Sequence, residues 1–527
     1  MLTDIYYADD YFHNRGEPIG IMWIIQHTGI EPVLPIYHSS SIGSRRQDFR
    51  HNGFVHQVYQ SIMRPSATMT AHLQFHLRHE VVHFEFLSRL FTALDGQEIQ
   101  AWVDEEPTGQ YARRCAFLYE FLSDKKLNPP QALGGNYVDA IDDDKLVTAS
   151  KAFIKKERRW RINNNIAGTQ AFAPMLVKTE PFLTASKLDV TTMLYDLNDA
   201  FGEDLLMRAS VWLTLGESKA SFTIEGEGGQ IKRIERFADF IAREVGKSDQ
   251  PFSQQTLARY QRVMMGDTVL NHFGVRQSPV FIGERRMSFN EIVHYIAPPY
   301  EQVPDKLKGL NTFMNATQGQ SAVMRSASVA FAFVYIHPLA DGNGRLHRFL
   351  FNDVLRRDGV TEDPLILPLS KSIVGTPRSL KEYSQVLDVI SKPLMQALHG
   401  HYNFSLEQQT YADGIVSNLT FNGLDIANPV WRYLDLTGHV IYLAKLIAHV
   451  ITHDMRNESV YLLRHDQARL AIKDIIDMPN DYADRIIRSF QNHQGQKSNK
   501  LMKDIPKLSD KNVYDRIIKA LKQVFES

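Results

Sequence analysis

The chain holds 527 residues, enough for two to four domains with ample core. Its 43% hydrophobic and 23% charged residues are those of a soluble globular protein, and a net charge of −1 excludes a global field drawing it to nucleic acid or anionic membranes. One cysteine, Cys115, excludes an intramolecular disulfide and fits a reducing cytoplasm; despite Arg113 and Arg114 beside it, it reads as a buried, inert thiol.

Residues 1–190 read as a mixed α+β region. Asp4, Asp9 and Asp10 break any basic-then-apolar leader pattern. The apolar run Ile19 to Ile36 is strand-compatible, and Leu73 to Leu94 has the spacing of a helix. On it, His79-Glu80-Val81-Val82-His83 matches the H-E-x-x-H pattern of zinc peptidases. No downstream ligand motif accompanies it, so a histidine-rich, partly exposed helix is the simpler reading. Lys155, Lys156, Arg158, Arg159 and Arg161 surround Trp160. This patch reads as a solvated face, or as partner to the acidic run Asp139, Asp142, Asp143 and Asp144, in preference to a nucleic-acid surface.

Residues 191–400 carry the chemistry. Leu205, Leu206, Ala209, Val211, Trp212 and Leu215 predict a helix continuing toward Glu225, ended by Gly226, Gly228 and Gly229. A carboxylate in a last helical turn opposes the macrodipole. The glycine run lacks the Lys-Ser/Thr of a P-loop, which argues against a P-loop ATPase. Arg276 to Phe289 predicts a hairpin in which Val280 and Ile282 alternate and Gly283-Glu284 turns the chain. Pro298, Pro299 and Pro304 then punctuate before a helix from Asp305. Val323, Ala327, Ala330, Phe331 and Val334 give Ser321 to Ile336 the spacing of a buried helix.

Pro338 disfavours helix at His337, leaving that imidazole at a mouth. The chain continues Leu339-Ala340-Asp341-Gly342-Asn343-Gly344-Arg345-Leu346-His347-Arg348 into a second helix buried through Leu346, Phe349, Leu350 and Val354. The stretch combines a base for an incoming hydroxyl (His337), a Mg²⁺-type ligand (Asp341), a glycine-flanked amide nest and two arginines. Arginine in a first helical turn opposes the macrodipole by ~0.3–1 kcal/mol, which calls for a compensating anion; a polyphosphate fits.

Residues 401–527 read as helical, with a lysine-rich tail (Lys497, Lys500, Lys503, Lys507, Lys511). No recognition helix stands out, so DNA binding is not expected. Val440 to Ile451, interrupted by Lys445 and His449, is too short to span a bilayer.

The run from His337 to Arg348 resembles the H-x-F-x-[DE]-G-N-G-R-x-x-R signature of Fic-domain proteins, which mostly transfer AMP from ATP to protein hydroxyls. Leu339 replaces the usual Phe as a smaller apolar anchor, and His347 stands where the family often has a small residue. Ser221-Phe222-Thr223-Ile224-Glu225-Gly226 resembles the family's inhibitory pattern [ST]-x-x-x-E-[GN], placed N-terminal to the core as in its second autoinhibited class. Looser likenesses join Tyr111 to Leu122, Gly135 to Val138 and Arg161 to Asn165 to the N-terminal segment of one branch. Leu367 to Ser370 and Tyr383 resemble positions after the motif, Tyr383 either lining adenine or packing.

The resemblance implies a mainly α protein: a Fic-type helical core with a β-hairpin flap, an α+β N-terminal region and a helical C-terminal region. It implies an autoinhibited adenylyltransferase moving AMP from ATP, with Mg²⁺, to a Tyr, Thr or Ser hydroxyl of a target protein or of itself. His337 is then the base and Asp341 the metal ligand. Gly342, Asn343, Gly344, Arg345 and Arg348 bind the nucleotide, and the flap near Val280 to Gly283 holds the target as an added strand. Glu225, supported by Ser221 and Gly226, pairs with Arg348 and blocks the γ-phosphate. The alternatives are removal of AMP on the same site and a nucleotide-sensing regulatory protein.

Overall fold

In the computed structural model, residues 16–266, 272–285, 291–493, 496 and 499–526 are described. The acidic N-terminal residues, and Lys497 of the basic tail, lie outside them. Contacts gather the chain into two units: residues 1–188, 217–361 and 369–447, and residues 189–216, 362–368 and 448–527. This grouping cuts across the division at 190 and 400 that the sequence suggests.

The first unit opens with β1 (Glu17–Ile19), α1 (Ile21–Thr28), β2 (His38–Ile42), β3 (Gln47–His51) and β4 (Phe54–Tyr59), the strands ordered β1-β2-β4-β3. Within the strand-compatible run from Ile19, the stretch Ile21–Thr28 is thus helix. Gly20 takes φ +61°, and the Ile21 N–H donates to the Glu80 carboxylate at 2.9 Å, so a buried acid caps the first turn. The predicted helix from Leu73 to Leu94 is two: α2 (Met69–His79) and α3 (Phe84–Ala93). Glu80 leaves α2 to cap α1 and bonds His76 Nδ1 at 2.9 Å; His83 bonds the Pro35 carbonyl at 3.0 Å and caps α3. The H-E-x-x-H residues therefore do not share one helix, and the zinc-peptidase geometry is not formed.

The helices α4 (Gln97–Glu105) and α5 (Gln110–Ser123) close a core containing Phe86, Phe91, Trp102, Leu118 and Trp160. Cys115 sits in that core, its thiol pushed up by burial, and is inert as read. Three short strands follow, β5 (Val138–Asp139), β6 (Lys155–Glu157) and β7 (Ile162–Asn164). Arg159 pairs with Glu120, whereas Asp142 pairs with Arg114 and Lys145, so the basic patch and the acidic run use different partners.

Next come α6 (Glu180–Ser186), α7 (Val190–Phe201), α8 (Glu203–Ile224), α9 (Ile231–Glu244) and α10 (Gln254–Met265). As expected, α8 runs to the residue before Glu225 and Gly226 ends it at φ +75°. The hairpin pairs β8 (Phe281–Arg285) with β9 (Glu291–Ile296). Gly283-Glu284 is not its turn: both lie inside β8, where the register shifts between Ile282 and Gly283. Residues 286–289 of the predicted hairpin lie outside the described residues.

After α11 (Val303–Ala316), α12 (Ala322–Ile336) is buried at every position from Val323 onward, the mark of a central helix. It lies along α13 (Asn343–Arg357); Ser326 donates to the Phe351 carbonyl at 2.8 Å, and Phe331 meets Phe351 edge to face. The unit continues through α14 (Leu369–Val374) and α15 (Pro377–Ala397).

The C-terminal stretch is not all helical. Tyr402–Thr410 (β10) and Val416–Phe421 (β11) form a second hairpin, because Tyr402 and Phe404 alternate with polar residues opposite Leu419 and Phe421. Then follow α16 (Leu424–Arg432) and α17 (Thr437–His449).

The second unit holds α7, the start of α8, and α18 (Arg456–Ile475), α19 (Asn480–His493), α20 (Asn499–Asp504) and α21 (Lys511–Glu526). Ala468, Ile472, Ile486, Ile487, Leu508 and Ile517 form its core. Among the described residues, no helix is long and apolar enough to cross a membrane.

Candidate active site

Pro338 ends α12 as expected, and His337 takes a left-handed conformation at φ +50°. A non-glycine residue there costs about 1 kcal/mol, so the surroundings must hold it. The ring is partly open to solvent, and its Nδ1–H donates to the Val334 carbonyl at 3.1 Å. That bond fixes the tautomer and leaves Nε2 as a lone-pair acceptor. Burial, and then the Arg276 cation, push the imidazole down to about 4, so it is neutral near pH 7.

The loop after His337 is braced from several sides. Asn343 uses both ends of its amide on Leu339, accepting from its N–H at 2.9 Å and donating to its carbonyl at 2.7 Å. Its side chain therefore braces the loop through its oxygen and one of its two amide N–H groups. Likewise the Gly342 N–H is taken by Asp341 Oδ1 at 2.5 Å. Gln261, missed in the sequence, donates to the Asp341 carbonyl at 2.8 Å. Leu339 is fully buried and bridges Val275, the anchoring its apolar character predicts.

Both loop arginines are buried and already answered. Arg348 donates Nε to Ser221 Oγ at 2.9 Å, and Nη2 to the Ser221 carbonyl and Glu225 Oε1 at 2.8 Å each. Gly344 makes the approach possible, because a Cβ there would collide with the Glu225 carboxylate. Arg345 donates to Glu227 Oε2 at 2.6 Å and to Asp341 Oδ1 at 3.2 Å, with its guanidinium 4.9 Å above the Phe222 ring. Arg233 takes the other oxygen of Glu227 at 2.9 Å. The sequence reading singled out Glu225 and missed Glu227; the signal available was a second acid two residues on, in the same glycine-rich end.

Asp341 is exposed at the rim, a hard oxygen donor beside the Arg345 guanidinium. Such a carboxylate fits one contact to Mg²⁺, which commonly takes one or two protein carboxylates beside substrate phosphates. His347 is fully buried, donates Nδ1–H to the Ala330 carbonyl at 2.7 Å, and is pushed by burial down to about 3, so it packs as a neutral ring. Tyr383 is buried against His347 with its hydroxyl on Arg348. It supports that arginine.

Residues 251–355 match the Fic/DOC family. The stretch takes in α10, the hairpin, α11, α12, the loop and most of α13; Ser221 to Gly226 precede it. Over those residues the chain is similar to Fic/DOC proteins. Over 173 residues it is 27% identical to protein adenylyltransferase fic-1 of Caenorhabditis briggsae, an alignment spanning 32% of this chain and 30% of that relative. A solved Fic family protein from Desulfovibrio desulfuricans G20 aligns with 64% of this chain and 90% of its own, at 17% identity and a TM-score of 0.34.

Proposed function

We propose that the protein is an autoinhibited protein adenylyltransferase. The observation that carries this reading is the His337 imidazole, its Nδ1–H tied to Val334, on the same loop as two arginines held by carboxylates.

The hydroxyl oxygen of a target Tyr, Thr or Ser attacks the α-phosphorus of ATP, and its proton passes to His337 Nε2. The bond from the α-phosphorus to the bridging oxygen breaks, and pyrophosphate leaves. Bound Mg²⁺ would neutralise charge on the phosphates, and Asp341 is the residue that would hold it. Arg345 and Arg348 take the β and γ phosphates through paired hydrogen bonds, helped by the first-turn amides of α13, which have no intrahelical acceptor. The target segment adds to the hairpin at Val280 to Gly283, and the protein's own hydroxyls are included among its targets. The chemistry suits a cytoplasmic pool of ATP.

In the inhibited form Glu225 occupies Arg348 and fills the space over Gly344, while Glu227 occupies Arg345. ATP then lies with its α-phosphorus turned from in-line attack, a misplacement of the kind that costs ~10²-fold. The test is mass spectrometry of lysate proteins incubated with ATP and Glu225→Gly protein. The reading expects an added AMP on hydroxyl residues. Removal of AMP from a pre-modified protein, with no adduct formed, would contradict it.

A further inference from the structure

Arg276 links the hairpin to the catalytic loop. Its side chain is buried, and it donates to three backbone carbonyls: Nε to His337 at 2.8 Å, Nη1 to Ser278 at 2.7 Å and Nη2 to Pro298 at 2.5 Å. Ser278 precedes β8 and Pro298 follows β9, so one guanidinium joins both feet of the hairpin to His337. The Arg276 N–H adds a bond to the Pro338 carbonyl at 2.8 Å. The neighbouring carboxylate, Asp413 from the turn of the second hairpin, serves the adjoining residues instead, accepting from the Gln277 N–H at 2.8 Å and Ser278 Oγ at 2.7 Å.

A buried cation satisfied only by neutral carbonyls is a costly way to pack a hairpin. Burial also draws Arg276 down to about 10. The arrangement gains a rigid fork whose three acceptors include the carbonyl of His337, a non-glycine residue held in the left-handed region.

We propose that Arg276 is a positioning residue: by fastening the His337 carbonyl to both feet of the hairpin, it aims the imidazole at a hydroxyl presented on that hairpin. The proposal rests on reading His337 as the base. Arg276 touches neither nucleotide nor hydroxyl; it acts through the backbone of His337.

The test uses full-length Glu225→Gly protein as parent, alone and with Arg276→Lys or Arg276→Gln. Lysine keeps the charge but reaches one carbonyl, and glutamine removes the charge. Transfer to the protein's own hydroxyls is followed as kcat and KM for ATP across pH. Both variants are expected to lose about 10²-fold in kcat with KM for ATP unchanged. The charged groups acting on His337 are Arg276 and Glu225, and the parent lacks the second. Arg276→Gln therefore raises the imidazole and moves the acid limb of the pH–rate profile to higher pH, whereas Arg276→Lys leaves it in place. If Arg276→Gln fails to fold, a lowered kcat at constant KM in Arg276→Lys still supports the proposal. Parental kcat in Arg276→Lys, or a loss wholly in KM for ATP, overturns it. An inert parent removes the base reading and this proposal together, and is told apart from failure of the proposal alone by the parent's own rate.

Discussion

Glu227 Oε2 lies 2.6 Å from Arg345 Nη1, two residues after Glu225 takes Arg348 Nη2 at 2.8 Å. The end of one helix thus answers both arginines that open another. Each charge would be misplaced on its own helix, and the pairing offsets both.

Glu227→Gln is expected to tighten ATP binding. Glu227 is about a third exposed and shared with Arg233, so the released pair counts as solvent-screened, worth up to ~1 kcal/mol, about fivefold in affinity. Isothermal calorimetry of wild type, Glu227→Gln, Glu225→Gly and the double variant checks this. The double variant should bind tightest; a Glu227→Gln affinity equal to wild type would confine inhibition to Glu225.

His337→Ala in the Glu225→Gly background should lower transfer by at least ~10²-fold, with ATP affinity and melting temperature close to the parent. Parental labelling rates would remove His337 from the role of base.

Asp341→Ala should abolish the Mg²⁺ dependence of ATP affinity, because Asp341 is the loop's only carboxylate and stands at its rim. It also frees Arg345 from one partner, so metal-free ATP binding should hold or improve. A titration in which mutant and wild type respond equally to Mg²⁺ excludes Asp341 from the metal site.

The parts of this site legible in the sequence were those set by local chemistry. Pro338 stopped α12 where expected, and the glycines after Glu225 stopped α8. What stayed hidden depended on partners distant in sequence. Asn343 spans to Leu339, a contact no local pattern marks, and the Gly283 bulge looked like a turn because a single glycine serves either. Glu80 broke a helix whose periodicity continued, because its carboxylate was needed at Ile21, 59 residues away. The hairpin at Tyr402 to Phe421 was overlooked, although its aromatic and β-branched alternation was present.

The anchoring of α8 carries a pH signature. Glu217, two turns before Glu225, is fully buried and accepts from the Ser370 N–H at 2.6 Å and from the Ser370 hydroxyl. Burial raises it from 4.5 to about 7. The folded state therefore binds the proton more tightly than the unfolded chain. Its contribution is fully present below about 4.5 and lost as pH rises through about 7, by up to ~3 kcal/mol. Glu217→Gln mimics the protonated form, so its melting temperature relative to wild type should climb between pH 5 and pH 8 (roughly the range spanned by the two pKa values). A constant difference across that range would show that Glu217 is ionised at both ends.

The most direct measurement of the central claim is self-labelling from ATP radiolabelled at the α-phosphate, compared among wild type, Glu225→Gly, and Glu225→Gly with Arg348→Ala. The account predicts a rise of about 10²-fold or more in the single variant, because Arg348 is released to the γ-phosphate and the in-line pose returns. It predicts loss of that gain in the double variant. Equal labelling by wild type and Glu225→Gly would contradict the account.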